Sequence, residues 1–104
     1  MRVCLVTIPA GKGADFARML LLQAQCACVN VLPSVQSLFL EEGVVRTAEE
    51  ELLVIKVDES DIRTLATAVV EQHPYDTPEF VVLPVDMDTT DNDYARWVRA
   101  ATRF

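Results

Sequence analysis

The densest chemistry in this chain lies in His73-Pro74-Tyr75-Asp76-Thr77-Pro78-Glu79. Here the sole histidine shares a loop pinned by two prolines with a phenol, a hydroxyl and two carboxylates. Proline fixes its own φ, so this loop can hold side chains in place at low entropic cost, as a binding site needs. The plainer reading makes it a stiff helix-to-strand connection with His73 serving the helix end. Three cysteines, Cys4, Cys26 and Cys28, add thiols. Imidazole, thiolate and a carboxylate together suit copper or zinc. A structural zinc knuckle is excluded, because no CxxC pair occurs. Cys26-Ala27-Cys28 is a poor disulfide geometry, so free thiols in a reducing compartment are expected.

Other candidate chemistry is weaker. The acidic stretch from Asp86 has Asp91 at the sixth position of a calcium loop and Trp97 at the twelfth, where glycine and glutamate belong. It reads instead as the acidic first turn of a last helix. Glu49-Glu50-Glu51 reads as solvated edge protection at the start of a strand. No glycine-rich phosphate loop, no G-x-S-x-G elbow and no Cys–His pairing by spacing is present. The loop Pro9-Ala10-Gly11-Lys12-Gly13 lacks the arginine that an acylphosphatase needs there. The chain is expected not to be an enzyme.

The elements that must position these residues follow from composition and pattern. With 104 residues, 51% of them hydrophobic, the chain makes one domain over 1–104 with a core of useful size. A net charge of −7 excludes a phosphate-backbone binder, so no nucleic-acid partner is expected. No apolar run is long enough to span a bilayer, and the N-terminus lacks a signal-peptide pattern; a cytoplasmic protein without a membrane partner is expected.

Residues 2–8 read as a strand and 14–25 as a helix with Phe16, Leu20 and Ala24 on one stripe. Strands follow at 27–32 and 37–40, then a turn at Glu42-Gly43 and a third strand carrying Leu52 to Val57. Asp58 or Ser60 caps a helix with Ile62, Leu65, Ala66, Val69 and Val70 at helical spacing, which His73-Pro74 ends. Phe80 to Leu83 make the fourth strand, and a last helix carries Tyr94, Trp97, Val98 and Ala101. The order β-α-β-β-α-β plus a C-terminal helix is an α+β, ferredoxin-like sandwich. Its two main helices cover one face, yet the strands Val3–Val6, Leu52–Ile55 and Phe80–Leu83 barely alternate. The other face therefore needs a cover, and another copy of the chain supplies it most simply.

Ala27-Cys28-Val29-Asn30-Val31-Leu32-Pro33, Ser37-Leu38-Phe39 with Glu42-Gly43, Ile55-Lys56, the 73–79 block and Asp93-Tyr94 with Trp97 resemble the CutA divalent-cation-tolerance family from about Val3 to Trp97. The resemblance implies a PII-like homotrimer whose long hairpin strands pair across subunits. It implies a role in divalent cation tolerance, with cations or small ligands bound in clefts between subunits. The metal ligands it implies are His73, Glu50 and Cys4, and the ligand-binding residues are Lys56, Tyr75 and Glu79, with the Glu79 carboxylate paired to the Lys56 ammonium. Copper or zinc is the implied cation. Val6 and Gln72 stand where some members carry a further cysteine and histidine, and Leu40-Glu41 where an aromatic pair is usual. The competing reading is a PII-like signalling or scaffold trimer that offers the loop around Glu41-Glu42-Gly43 to a protein partner without a metal.

Overall fold

The computed structural model describes residues 1–103. Its elements run β1 (Arg2–Pro9), α1 (Gly13–Leu22), β2 (Cys28–Glu41), β3 (Val44–Val57), a 3-10 turn (Glu59–Asp61), α2 (Ile62–Gln72), β4 (Val81–Pro84) and α3 (Asn92–Ala100). The strands form one antiparallel sheet in the order β2-β3-β1-β4. This is the expected ferredoxin-like sandwich with its added C-terminal helix.

Period-2 alternation sorts the central strands between two faces. Cys4, Val6 and Ile8 of β1 and Leu53, Ile55 and Val57 of β3 are buried against α1 and α2. Phe16 and Leu20 of α1 and Leu65 and Val69 of α2 close that core. On the opposite face Val3, Leu5, Leu52 and Val54 are only half-buried. The helix α3 reaches β3 and buries Val98 but leaves Trp97 52% exposed. Among the described residues no helix is long and apolar enough to cross a membrane.

Four elements differ from the sequence expectation. β2 and β3 are continuous strands of 14 residues each, where three shorter segments were expected. Pro33 has no N–H to give the ladder, and a bulge absorbs it: the register shifts between Leu32 and Val35, and Ser34 takes φ +61°. The chain therefore passes Pro33 without leaving the sheet. α1 stops at Leu22 rather than at residue 25. Ala24, at φ +55°, donates its N–H to the Leu21 carbonyl and Gln25 donates to Leu20, both at 3.0 Å; this is a Schellman closure. The fourth strand lies at the sheet edge, bonded to β1 alone, and each of its residues is exposed. Its apolar run reads as interior in the sequence because pattern reports a strand's side chains and not what covers them.

Candidate functional site

The C-terminal end of β1, the middle of the β2–β3 hairpin and the 73–79 loop enclose a cleft of about 680 Å³. Thr7, Ser37, Phe39, Glu50, Tyr75 and Glu79 line it, together with Glu41 and Thr77. His73 lies behind this wall, 8% exposed, and fixes the loop. Its Nε2 is 2.8 Å from the Thr7 carbonyl, which can only accept, and its Nδ1 accepts the Tyr75 N–H at 3.0 Å. The ring is thus the neutral Nε2–H tautomer, with both nitrogens in use. Phe16 meets it edge-on, ring centroids 5.6 Å apart, and the Tyr75 ring packs on it at 5.0 Å.

This strut delivers the Tyr75 hydroxyl to Glu50, donating to Oε2 at 2.8 Å. Glu50 is 6% exposed, although it stands opposite Pro9 in the register of β3 and β1. Burial raises the Tyr75 phenol above its ordinary pKa, and its bond to the Glu50 carboxylate and that group's charge raise it further.

The three consecutive glutamates do not share the solvated role expected of them. β3 is central, not an edge, so alternation sends Glu50 into the cleft and Glu51 to the helical face. Glu51 Oε1 accepts the Gly13 N–H at 2.7 Å and caps α1, whose own N-cap residue Lys12 supplies no side-chain bond. A Cβ on Gly13 would lie 2.5 Å from that oxygen and 3.0 Å from Val31 Cγ1, so the approach needs glycine. Only Glu49 is exposed.

The structure brings Glu50, Tyr75 and Glu79 to one cleft and leaves Cys4 and Lys56 elsewhere. Cys4 is fully buried in the core, five residues before Pro9, or roughly 17 Å along β1 from the Glu50 level. Burial pushes its thiol up to about 11, and pushes Cys26 to about 12 with added repulsion from Cys28 and Cys4. Lys56 sits six residues beyond Glu50 on β3, roughly 20 Å away, and bonds the Asn30 side chain. The expected pairing of Glu79 with Lys56 is therefore replaced by Lys56–Asn30. Among the described residues no three His, Cys, Asp or Glu side chains converge as a metal site. A soft copper set of His73, Glu50 and Cys4 does not fit this chain: the imidazole has no free nitrogen and the thiol is sealed in the core. Ser37 and Phe39 escaped the sequence reading of the cleft, although with Glu41 they share one face of β2 by simple alternation.

The chain matches the CutA1 divalent ion tolerance protein family over residues 2–101. It belongs to the CutA1 family. A relative, the divalent-cation tolerance protein CutA of Pectobacterium atrosepticum, is 41% identical over 102 residues, covering 97% of this chain and 91% of that one. The chloroplastic protein CutA 1 of Oryza sativa is 36% identical over 102 residues. This CutA1-family chain spans only 56% of that plant relative's length. In structure it is similar to the PII-like protein CutA of Nostoc sp. PCC 7120, with a TM-score of 0.94 and 35% identity. That alignment covers 99% of this chain and 98% of the other. The Thermus thermophilus divalent cation tolerance protein aligns with a TM-score of 0.90 at 31% identity, covering 97% and 98% of the two chains. The CutA1 assignment thus rests on agreement of sequence and fold along nearly the whole chain.

Proposed function

We propose that this protein is a non-catalytic homotrimer whose clefts, each completed by a neighbouring subunit, bind a divalent cation as part of a cation-tolerance role. The observation that carries the reading is Glu50. Its carboxylate is 6% exposed, and among the described residues its hydrogen-bond donor is the Tyr75 hydroxyl rather than a cation. A buried carboxylate without a counter-charge is costly unless something positive joins it. Glu79 lines the same cleft and makes no ion pair among the described residues; Glu41 lines it too and meets Arg46 at 3.8 Å. Carboxylate and phenol oxygens suit manganese and accept zinc, and they include none of the soft thiolate ligands that select copper. One chain supplies too few converging donors, which is why the reading includes a neighbour.

The trimer is supported by the surface left uncovered. Leu38, Phe39, Leu40, Val44 and Val45 on the hairpin arm are 44–73% exposed, and Val81 to Leu83 lie on a bare strand edge. Such surface invites pairing with another copy. The same exposed hairpin arm favours the second reading, a PII-like scaffold that presents it to a protein partner. The free thiols Cys4, Cys26 and Cys28 suit a reducing compartment such as the cytoplasm.

Native mass spectrometry with manganese, zinc or copper tests the reading. The expected result is a trimer that takes up one manganese or zinc per chain, with uptake lost in the Glu50→Gln, Glu79→Gln double variant. A monomer overturns the assembly. A trimer that stays metal-free overturns the cation role and leaves the scaffold.

A further inference from the structure

A second cleft, of about 760 Å³, lies between the turn into α2 and the helix α3. Arg63 from the first turn of α2 lines it together with Arg96 and Arg99, one turn apart on α3. Two carboxylates also line it, and both are already matched by arginines. Asp58 meets Arg103 at 3.4 Å, and Glu59 meets Arg2 at 3.5 Å. Five of the nine basic residues of an acidic chain are thus spent around one cleft. Arg96 pairs with Asp93 on its own helix, an exposed i,i+3 contact that is cheap to exchange. Among the described residues neither Arg63 nor Arg99 forms a direct ion pair, although the Arg99 charge is near enough to help lower the Asp58 carboxyl. The side chains of Met1, Met87 and Ala95 make part of the wall apolar, while Ser60 and Asn92 add polar groups.

Guanidinium groups arriving from two helices present planar forks that match phosphate or carboxylate oxygens. The volume is in the range of small-molecule sites. The cleft lies at the start of β1, where Met1 lines it and Arg2 meets its Glu59, whereas Glu50 stands opposite the strand's end, roughly 25 Å away. The two clefts therefore have opposite charge preference at opposite ends of the same strand.

We propose that the Arg63–Arg96–Arg99 cleft binds a compact ligand carrying at least two negative charges on oxyanion groups, a phosphate ester or a polycarboxylate. The guanidiniums clamp the charged groups and the methionine-lined wall receives the ligand's body.

Calorimetric titration of the intact protein at low salt, with pyrophosphate and citrate as separate probes, tests this. Saturable binding of one probe per chain is expected, with at least a tenfold loss of affinity in Arg63→Gln and in Arg99→Gln. Arg63→Lys, which keeps the charge and loses the fork, is expected to weaken binding less. Circular dichroism should stay unchanged in all three, and Glu50→Gln should bind as the parent does. Binding of pyrophosphate alone identifies the phosphate class, and citrate alone the carboxylate class. No heat with either probe, or affinity unchanged in both glutamine variants, overturns the proposal.

Discussion

Glu50 and Tyr75 form a unit in which each group explains the other's environment. The buried carboxylate accepts the phenol's proton in a hydrogen bond, and its charge opposes ionisation of that phenol. A phenol whose pKa is raised by folding contributes stability below its ordinary value near 10, and that contribution is lost as pH rises through the raised value. Glu50→Gln removes the charge and leaves the burial. Tyrosinate absorbance should then show one of the two tyrosines, Tyr75, ionising at lower pH than in the parent. The other, Tyr94, is also raised, by burial first and by Cys28 second, and should not move. An unchanged titration curve for both would detach Glu50 from the phenol. The tautomer of His73 belongs to the same unit. A ring that donates to Thr7 and accepts from Tyr75 serves to hold the loop, so its contribution to the cleft is positional.

At the level of elements, helix ends show where the chain departs from its best local choices. α1 closes through Ala24 in the left-handed region, a conformation that costs a Cβ-bearing residue of the order of 1 kcal/mol. Glycine is the ordinary occupant of that position. Ala24→Gly should therefore raise stability by about 0.5–1 kcal/mol, read as a higher denaturant midpoint at unchanged slope. A lower midpoint would mean that the Ala24 methyl packs more than its strain costs. The opposite end of α1 uses a cap from another element, Glu51 of β3, and this requires Gly13. Helix α1 is thus tied to the same strand that carries Glu50, so the cleft wall and the helical layer are held by adjacent residues.

On the scale of the whole molecule, the segment after α3, Thr102 and Arg103, is fastened to the turn that begins α2. Arg103 pairs with Asp58 and Asp61, and Thr102 Oγ1 donates to Asp61 at 2.7 Å. Burial pulls the Asp58 carboxyl upward. Hydrogen bonds from the side chain and backbone of Ser60, with the charges of Arg103 and Arg99, outweigh it and hold the pKa below its ordinary value. A depressed carboxyl contributes stability above the unfolded value near 4, and this is lost as pH falls through the folded value. Asp58→Asn should consequently lower stability at neutral pH and flatten its decline below pH 4. Parallel acid-unfolding curves for parent and variant would contradict this. The fastening also fixes α3 beside the turn, which creates the arginine-lined cleft.

Element order, the two-sided apolar strands and the block from His73 to Glu79 were legible in the sequence, because alternation, helical spacing and proline placement are local signals. They determined the ferredoxin-like sandwich, the family and the loop that carries Tyr75 and Glu79. Only the tertiary structure decided which groups meet. Lys56 and Cys4 share strands with the site and yet lie roughly 20 and 17 Å along them from the Glu50 level. Three adjacent glutamates became a buried cleft residue, a helix cap and an exposed side chain, because β3 is flanked on both sides and its two faces meet different neighbours. The gathering of Arg63, Arg96 and Arg99 had no sequence signature, since residues more than thirty positions apart meet only when α3 folds back over the start of α2. Pattern along a chain reports which face a residue takes; register and the return of distant segments report what stands opposite it.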